Sequence, residues 1–102
     1  MYARLTFIDI DPRDIKEVST VYNFEVAPVI KKFQGVAEVM LLEPTDGSGE
    51  LISVTTWHSK ADAEAYERSG TYQEMVDKVK AKIVKPPVLQ TYNVHSAEVS
   101  VI

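Results

Sequence analysis

Hydrophobic and polar residues alternate at the start of the chain and then change to a helical spacing. Residues 2–10 predict a strand with two distinct faces: Tyr2, Arg4, Thr6 and Ile8 on one, and Ala3, Leu5 and Phe7 on the other. Asp11 and Pro12 are typical of a helix start. The helical spacing that follows is carried by Ile15, Val18, Tyr22, Val26, Val29, Ile30 and Phe33. Pro28 lacks the amide that would bond to the carbonyl of Phe24, so a kink is expected near residues 24–27.

The rest of the chain predicts two more strands, a second helical region and a last strand. The strands cover residues 36–43 and about 50–58, joined by a hairpin loop at 46–49. Ser59 predicts the N-cap of a helix over 60–68, and Thr71 with Glu74 predicts a capping box that restarts it. Residues 88–95 form the fourth strand. The order β-α-β-β-α-β predicts an α+β, ferredoxin-like fold with a four-stranded antiparallel sheet.

One face of this sheet lacks a cover within the chain. Two helices cover a single face, yet the second strand is apolar on both sides, with Val36, Met40 and Leu42 opposed to Ala37, Val39 and Leu41. In the third strand, Leu51 and Trp57 oppose Ile52 and Val54. An apolar face of this size is rarely left exposed by a soluble monomer. The pattern predicts a two-fold homodimer in which two sheets pack face to face.

Length and composition limit the class of protein. The 102 residues predict one domain over 1–102 with a core at 2–94, while Val99, Val101 and Ile102 suggest that the tail 96–102 packs on the partner chain. There is no cysteine, and the net charge is −4 without a concentrated basic face. Nucleic acid is therefore not an expected partner. The chain has neither a membrane-spanning apolar run nor a signal peptide, so a cytoplasmic location is expected.

Aromatic residues suggest the walls of a small-molecule pocket. Trp57, the only tryptophan, ends the third strand, and Tyr22, Tyr66, Tyr72 and Tyr92 lie on elements that can meet it. Aromatic residues at these spacings also fill hydrophobic cores, and that alternative applies most directly to Trp57.

Four polar residues are further candidates for the chemistry of such a pocket. His58 and His95 are the candidate catalytic bases, because only histidine titrates near neutral pH without a perturbed environment. His58 follows Trp57 directly, so the pleat turns the two side chains to opposite faces. Arg4 can hold an anionic substrate or pair with a carboxylate. Ser53 is a small polar residue of the third strand, and the spacing of the histidines does not predict a metal site.

The third strand and the helix after it carry a family resemblance. Thr55-Thr56-Trp57, followed by Ser59, Asp62, Tyr66, Ser69 and Tyr72, resembles the antibiotic biosynthesis monooxygenase family, as does the segment from Ala27-Pro28 to Gly35. The resemblance covers residues 2–94. It implies a dimeric α/β barrel and a pocket beside Trp57. From the residues themselves, we expect the same pocket to include Tyr66, Tyr72, Tyr22, Ser53 and Arg4. The resemblance also implies an oxygenase that needs no cofactor and acts on a small aromatic, anthrone or quinol; the alternative is a non-catalytic dimeric binding or regulatory module.

Two departures from the family pattern bear on activity. Haem-degrading members carry an iron-binding histidine at the position of Val76, and an asparagine in the first strand that residues 2–10 lack. Haem degradation is therefore disfavoured. The anthrone oxygenases share the strand tryptophan, but they carry an asparagine where this chain has Ser53.

Overall fold

A computed structural model describes residues 1–98 of the chain. The strands are β1 (Tyr2–Asp9), β2 (Val36–Leu42), β3 (Glu50–Trp57) and β4 (Val88–Asn93). The helices are α1 (Ile15–Val21), α2 (Ala27–Ile30), α3 (Lys60–Arg68) and α4 (Thr71–Val79), with a π-helical segment at Tyr22–Val26 and 3₁₀ turns at Pro12–Asp14 and Lys80–Lys82. The expected packing of tail residues Val99, Val101 and Ile102 on a partner lies outside the described residues.

The four strands form one antiparallel sheet in the order β2-β3-β1-β4. β1 is central and pairs with β3 through partners such as Leu5 and Val54, and with β4 through Leu5 and Gln90. This is the topology expected of a ferredoxin-like α+β fold, so the predicted fold class is confirmed. The fourth strand ends two residues earlier than predicted, at Asn93 rather than residue 95.

A bulge in β2 changes the predicted orientation of one residue. Val36 pairs with Trp57 and Glu38 pairs with the preceding residue Thr56, so the register shifts between Val36 and Glu38. An extra residue on one strand turns the following side chains to the other face. Val36 therefore packs on the helix-covered face with Val39, and the prediction that it shares a face with Met40 is wrong.

The first helical region is irregular near Pro28, as expected, but the irregularity takes the form of a π-helical segment. The amide of Ala27 donates to the carbonyl of Tyr22, five residues back, and Tyr22–Val26 form the π turn. A π turn contains one residue more than an α turn and is common at functional sites. It places Tyr22 and Val26 in the core and leaves Phe24 78% exposed.

The caps of the second helical region follow one prediction and contradict the other. The Ser59 hydroxyl accepts a hydrogen bond from the amide of Asp62 at 3.1 Å, which confirms the N-cap of α3. The predicted capping box at Thr71 and Glu74 is wrong: Gly70 occupies the N-cap position of α4 with φ of 83° and makes no side-chain cap. The Ser69 hydroxyl instead accepts from the amide of Thr71 at 3.2 Å. A serine just before the helix provides the local acceptor that the prediction assigned to Thr71.

The helices cover one face of the sheet, which we call the inner face. Two hydrophobic clusters lie there, one around Trp57 and Tyr66 and the other around Leu51 and Val18. The opposite, outer face has no helix against it within residues 1–98. Its apolar side chains are half-buried or exposed: Leu5, Phe7, Met40, Leu42, Ile52, Val54, Val88 and Tyr92.

Within residues 1–98, no helix is long and apolar enough to cross a membrane.

Candidate functional site

A polar stripe runs across the middle of the inner face. Arg4 and Thr6 of β1 are direct neighbours of Thr55 and Ser53 of β3 in the antiparallel register. Arg4, Thr6 and Thr55 are buried, although a helical layer covers them and a close-packed core would favour apolar residues there. Buried polar residues that face a helical layer indicate a site rather than a purely structural core.

This stripe forms the floor of a partly open cavity of about 40 Å³. The helices supply its roof. The lining residues are Arg4, Thr6, Ile8, Val18, Tyr22, Val26, Ile30, Leu41, Ser53, Thr55, Tyr66, Tyr72, Met75, Val76, Val79, Ile83 and Pro87. Five of the six residues predicted to form the pocket are among them. A space of this size admits a few water molecules or a small polar group, but a ring enters only if a side chain of the wall moves.

Arg4 is the one charged residue among the described residues that line the cavity. Its side chain is only 4% exposed, and its Nη1 forms an ion pair with Oε2 of Glu67 at 3.2 Å. The guanidinium carbon also lies 5.6 Å from the ring centre of Tyr66 and 4.9 Å from that of Tyr72. Both distances are typical of cation–π contacts. Nη2 of the same group is buried without a hydrogen-bond partner in residues 1–98.

Trp57 lies behind the cavity wall and is not part of its lining. It is fully buried, and its ring stacks on Tyr66 with the centroids 5.2 Å apart and an interplanar angle of 29°. The indole nitrogen donates to the Thr55 hydroxyl at 2.9 Å. Phe33 meets the Tyr66 ring edge-on, with the centroids 4.9 Å apart. Trp57 and Phe33 therefore fix the orientation of Tyr66, which faces the cavity.

Tyr22 and Ser53 connect the roof of the cavity to its floor. The Tyr22 hydroxyl lies 2.8 Å from the Ser53 hydroxyl and donates to the carbonyl of Met40 at 3.1 Å. A hydroxyl has a single proton, so Ser53 donates to Tyr22 when Tyr22 donates to Met40. Burial raises the pKa of Tyr22, and the hydrogen bond to Ser53 opposes that effect. Tyr22 therefore remains a neutral hydrogen-bonding group.

Tyr66 is also held in its protonated form. Burial raises its pKa strongly, Arg4 lowers it, and the nearby hydroxyls of Tyr22 and Tyr72 raise it further. A phenol with a raised pKa donates a hydrogen bond and does not act as a base near neutral pH.

Both histidines lie outside the cavity. His58 is exposed just after β3, where its backbone amide donates to the carbonyl of Gly35 at 2.8 Å. His95 is exposed beyond the end of β4. Tyr92 lies on the outer face and is 45% exposed. A base must come within hydrogen-bond reach of its substrate, so neither position supports the expected catalytic role for a ligand bound in this cavity.

Sequence reasoning missed part of the lining. Thr6 and Thr55 were not assigned to the pocket, although Thr6 shares a predicted face with Arg4 and Thr55 is two residues from Ser53. The period of two in each strand was a usable signal. Met75, Val76 and Val79 belong to the apolar stripe of α4, and a stripe facing a cavity has the same spacing as one facing a filled core.

Comparisons with known proteins agree with this architecture. The antibiotic biosynthesis monooxygenase model matches residues 1–78. Rv0793 from Mycobacterium tuberculosis is similar in structure, with a TM-score of 0.73, 17% identity, and coverage of 94% of this chain and 96% of that one. No curated protein sequence matches the chain.

Two further solved structures carry ligands. A MhuD variant with two manganese protoporphyrin IX molecules per active site has a TM-score of 0.80 and 15% identity, over 98% of this chain and all of that one. A monooxygenase from the gene ActVA-Orf6 of Streptomyces coelicolor, in complex with Nanaomycin D, has a TM-score of 0.75 and 15% identity, over 98% of this chain and 92% of that one. At these identities the likeness establishes the fold. Because the family model covers most of the sequence, the chain belongs to the antibiotic biosynthesis monooxygenase family.

Proposed function

We propose that this protein is a small oxygenase that binds a flat aromatic, anthrone or quinol substrate in the inner-face cavity and needs no bound cofactor. The observation that carries the proposal is the cavity itself, where a buried arginine and three tyrosines surround a polar floor. Aromatic walls with a few convergent polar groups are typical of small-molecule sites. Membership of the monooxygenase family supports the same reaction class.

The reaction requires little from the protein. An anthrone or quinol loses a proton, and the resulting anion passes one electron to dioxygen. For an anthrone, the two radicals combine to a hydroperoxide that loses water, so that one oxygen atom enters the product as a ketone and the other leaves as water. The substrate supplies all the electrons. The protein has to bind the ring, stabilise the anion and exclude solvent, which are the roles of the cavity walls, Arg4 and the helical roof.

Haem is not the ligand that we propose for this cavity. Val76 lies in the lining at the position where the resemblance to haem-degrading members places a histidine, and a valine side chain has no atom that binds iron. The described lining contains no histidine or carboxylate, and the side chains in it that could approach an iron atom are Met75 and three tyrosines. The likeness to the porphyrin-bound MhuD variant therefore supports the fold, and we do not propose its ligand for this chain.

A second candidate is a non-catalytic module that binds a small ligand. Two observations favour it: the cavity measures only about 40 Å³, and its described lining contains no histidine or carboxylate to remove a proton. Under this proposal, the polar groups would recognise a ligand without transforming it. The two candidates predict the same binding site and differ in turnover.

Oxygen consumption and ligand binding distinguish the two candidates. If the protein is an oxygenase, adding chelator-treated protein to an anthrone or a quinol should raise the rate of oxygen uptake by about 10-fold or more over the uncatalysed rate. This is a small part of a typical enzymatic acceleration. Binding should change the fluorescence of Trp57, because Trp57 stacks on a residue of the cavity wall. Binding without uptake would favour the second candidate. A panel that neither binds nor reacts would contradict both.

A pair of identical substitutions controls for the location of binding. Val76→Phe places a ring in the cavity and should abolish both binding and uptake. Val84→Phe makes the same change at a residue that is 64% exposed, and should leave both unchanged. Thermal unfolding of the two variants would show whether Val76→Phe remains folded. Equal activity in both variants would place the site elsewhere.

We also propose that the outer face is the contact surface of a homodimer. Leu5, Val54 and Met40 are neighbours across three strands of this face and are only half-buried in the single chain. A second copy related by two-fold symmetry offers the same apolar surface and would cover it. The inner-face cavity would then lie on the far side of each sheet from the contact.

A further inference from the structure

Arg4 leaves one edge of its guanidinium group unused inside the protein. Nη1 pairs with Glu67, whose side chain is 49% exposed, so this ion pair lies at the boundary between the cavity and the surface. Nη2 is buried and has no acceptor in residues 1–98, although the side chain as a whole is 4% exposed. A buried charged donor without an acceptor is costly, because it has lost its hydration and gained nothing in exchange.

The neighbours of Arg4 inside the cavity are neutral. The rings of Tyr66 and Tyr72 contact the guanidinium through their faces, which leaves the N–H groups free to donate in the plane. Thr6, Ser53 and Thr55 are uncharged, and no carboxylate lines the cavity within the described residues. Among the described residues, the positive charge in the cavity is therefore balanced from outside, by Glu67.

From this geometry we infer that the cavity selects a flat ring carrying an anionic oxygen, either a carboxylate or an ionised phenol, and that Arg4 Nη2 binds this oxygen. The inference rests on the proposed function and specifies its substrate class. The cavity of about 40 Å³ accommodates such an oxygen-bearing group at its floor, while the attached ring displaces the half-buried Tyr72. Guanidinium groups favour oxyanions because both the charge and the planar N–H geometry match.

This arrangement also accounts for a site without a base in its described lining. A cation next to a phenol stabilises the ionised form and lowers the phenol's pKa. The proton then leaves to solvent water, and the electron pair remains on the oxygen that faces Nη2. Arg4 would thus favour the anion that the oxygenase reaction requires, without accepting a proton itself, since an arginine is always protonated in proteins.

The dye 4-nitrophenol tests this inference, because its ionised form absorbs visible light and its neutral form does not. Wild-type protein should lower the pKa of the bound dye by about one unit, the lower end of the effect of a close opposite charge. The ionised dye should also bind about 10-fold more tightly than nitrobenzene, a neutral ring of similar size, in calorimetric titrations. Arg4→Met keeps an unbranched side chain but removes the guanidinium group, and it should remove both effects.

Substitutions on α3 give a test that does not depend on removing a buried residue. Glu67→Gln leaves Arg4 in place and removes its external counter-charge, so it should tighten binding of the ionised dye by about 3-fold or more. Glu64→Gln makes the same change on the same helix, at a residue that pairs with Lys60 and Arg68, and should leave binding unchanged.

The outcomes separate the inference from the proposed function. Nitrobenzene binding as tightly as the ionised dye, without a change in the pKa of the dye, would overturn the role of Arg4 and leave the cavity as a binding site for aromatic rings. Failure of both compounds to bind would overturn the proposed function and the inference together. If Arg4→Met does not fold, an unchanged affinity in Glu67→Gln overturns the inference.

Discussion

In the middle of the two central strands, the usual distribution of polar and apolar residues on the two faces of the sheet is reversed. The inner face is covered by helices, yet its two central strands carry Arg4, Thr6, Ser53 and Thr55. The outer face lacks a cover within residues 1–98, yet its central strands carry Leu5, Phe7, Ile52 and Val54. In most proteins of this class the covered face is apolar and the open face polar.

This reversal shows that the burial of side chains within one chain does not reveal what each face of the sheet binds. Polar residues under a helical layer need hydrogen-bond partners. On the inner face, Ser53 and Thr55 have partners within the chain, whereas Arg4 Nη2 has none within residues 1–98. Apolar residues on an open face need a cover that the single chain does not supply. We interpret the inner face as adapted to a ligand and the outer face as adapted to a second copy.

The largest expected effect comes from placing a charge on the outer face. Val54 lies at its centre, between Leu5 and Met40. Val54→Asp would bury an unpaired carboxylate from each subunit in the proposed contact and should weaken the dimer by about 3–5 kcal/mol, or more than roughly 100-fold. Sedimentation at several protein concentrations would measure the dissociation constant.

Ala61→Asp is the matched control for this experiment. Ala61 is exposed on α3, on the other side of the sheet, so the same added charge should leave the dissociation constant unchanged. A wild-type protein that stays monomeric at all concentrations, or a Val54→Asp variant that dimerises normally, would break the comparison between the two faces.

A smaller effect is expected from removing one hydrogen bond of the inner face. Thr55→Val leaves the buried indole N–H of Trp57 without its acceptor and should lower the free energy of unfolding by about 1–3 kcal/mol. Urea denaturation followed by Trp57 fluorescence would measure the change. Thr6→Val is the control, because Thr6 is buried on the neighbouring strand of the same face and is not the acceptor of the indole nitrogen. Equal losses in the two variants would mean that the bond to Trp57 contributes nothing specific.

The smallest expected effect is on how the free energy of unfolding depends on pH, through the buried Tyr66 of the inner face. Burial raises the pKa of Tyr66 in the folded protein above its ordinary value of 10.0. The unfolded chain therefore releases this proton before the folded chain does. The associated stability is present below pH 10 and is lost as the pH rises above it. Between about pH 8 and about pH 11, the wild-type midpoint in urea should fall more steeply than that of Tyr66→Phe. Parallel curves would contradict the raised pKa.

Much of the fold follows from local pattern. The alternation in residues 2–10 and the helical spacing after Asp11 correctly predicted β1 and the first helical region, because each segment has one dominant period. The errors have two causes: neighbouring residues that can make the same hydrogen bond, and pairing between strands that are distant in sequence. Ser69, not Thr71, bonds the first amide of α4. The bulge after Val36 depends on pairing with β3, which a single strand does not encode.

The candidate site could be predicted only in part, for a related reason. Arg4 was identified from the alternation of residues in β1, and Ser53 from its position relative to the family's asparagine. The separation of Trp57 from the cavity depends on how the rings of Tyr66 and Phe33 stack, which is a property of packing between distant elements. The unpaired nitrogen of Arg4 is likewise visible only once the position of Glu67 is known.

The π turn at Tyr22–Val26 places one more residue between its two buried ends than an α turn would. Asn23, Phe24 and Glu25 are exposed within it, whereas Tyr22 and Val26 line the cavity. Deleting one of the exposed residues would leave Tyr22 and Val26 three positions apart, a spacing that an α-helix also keeps on one face. The cavity would therefore tolerate either length of this turn, because the added or lost residue lies on the exposed side of the helix.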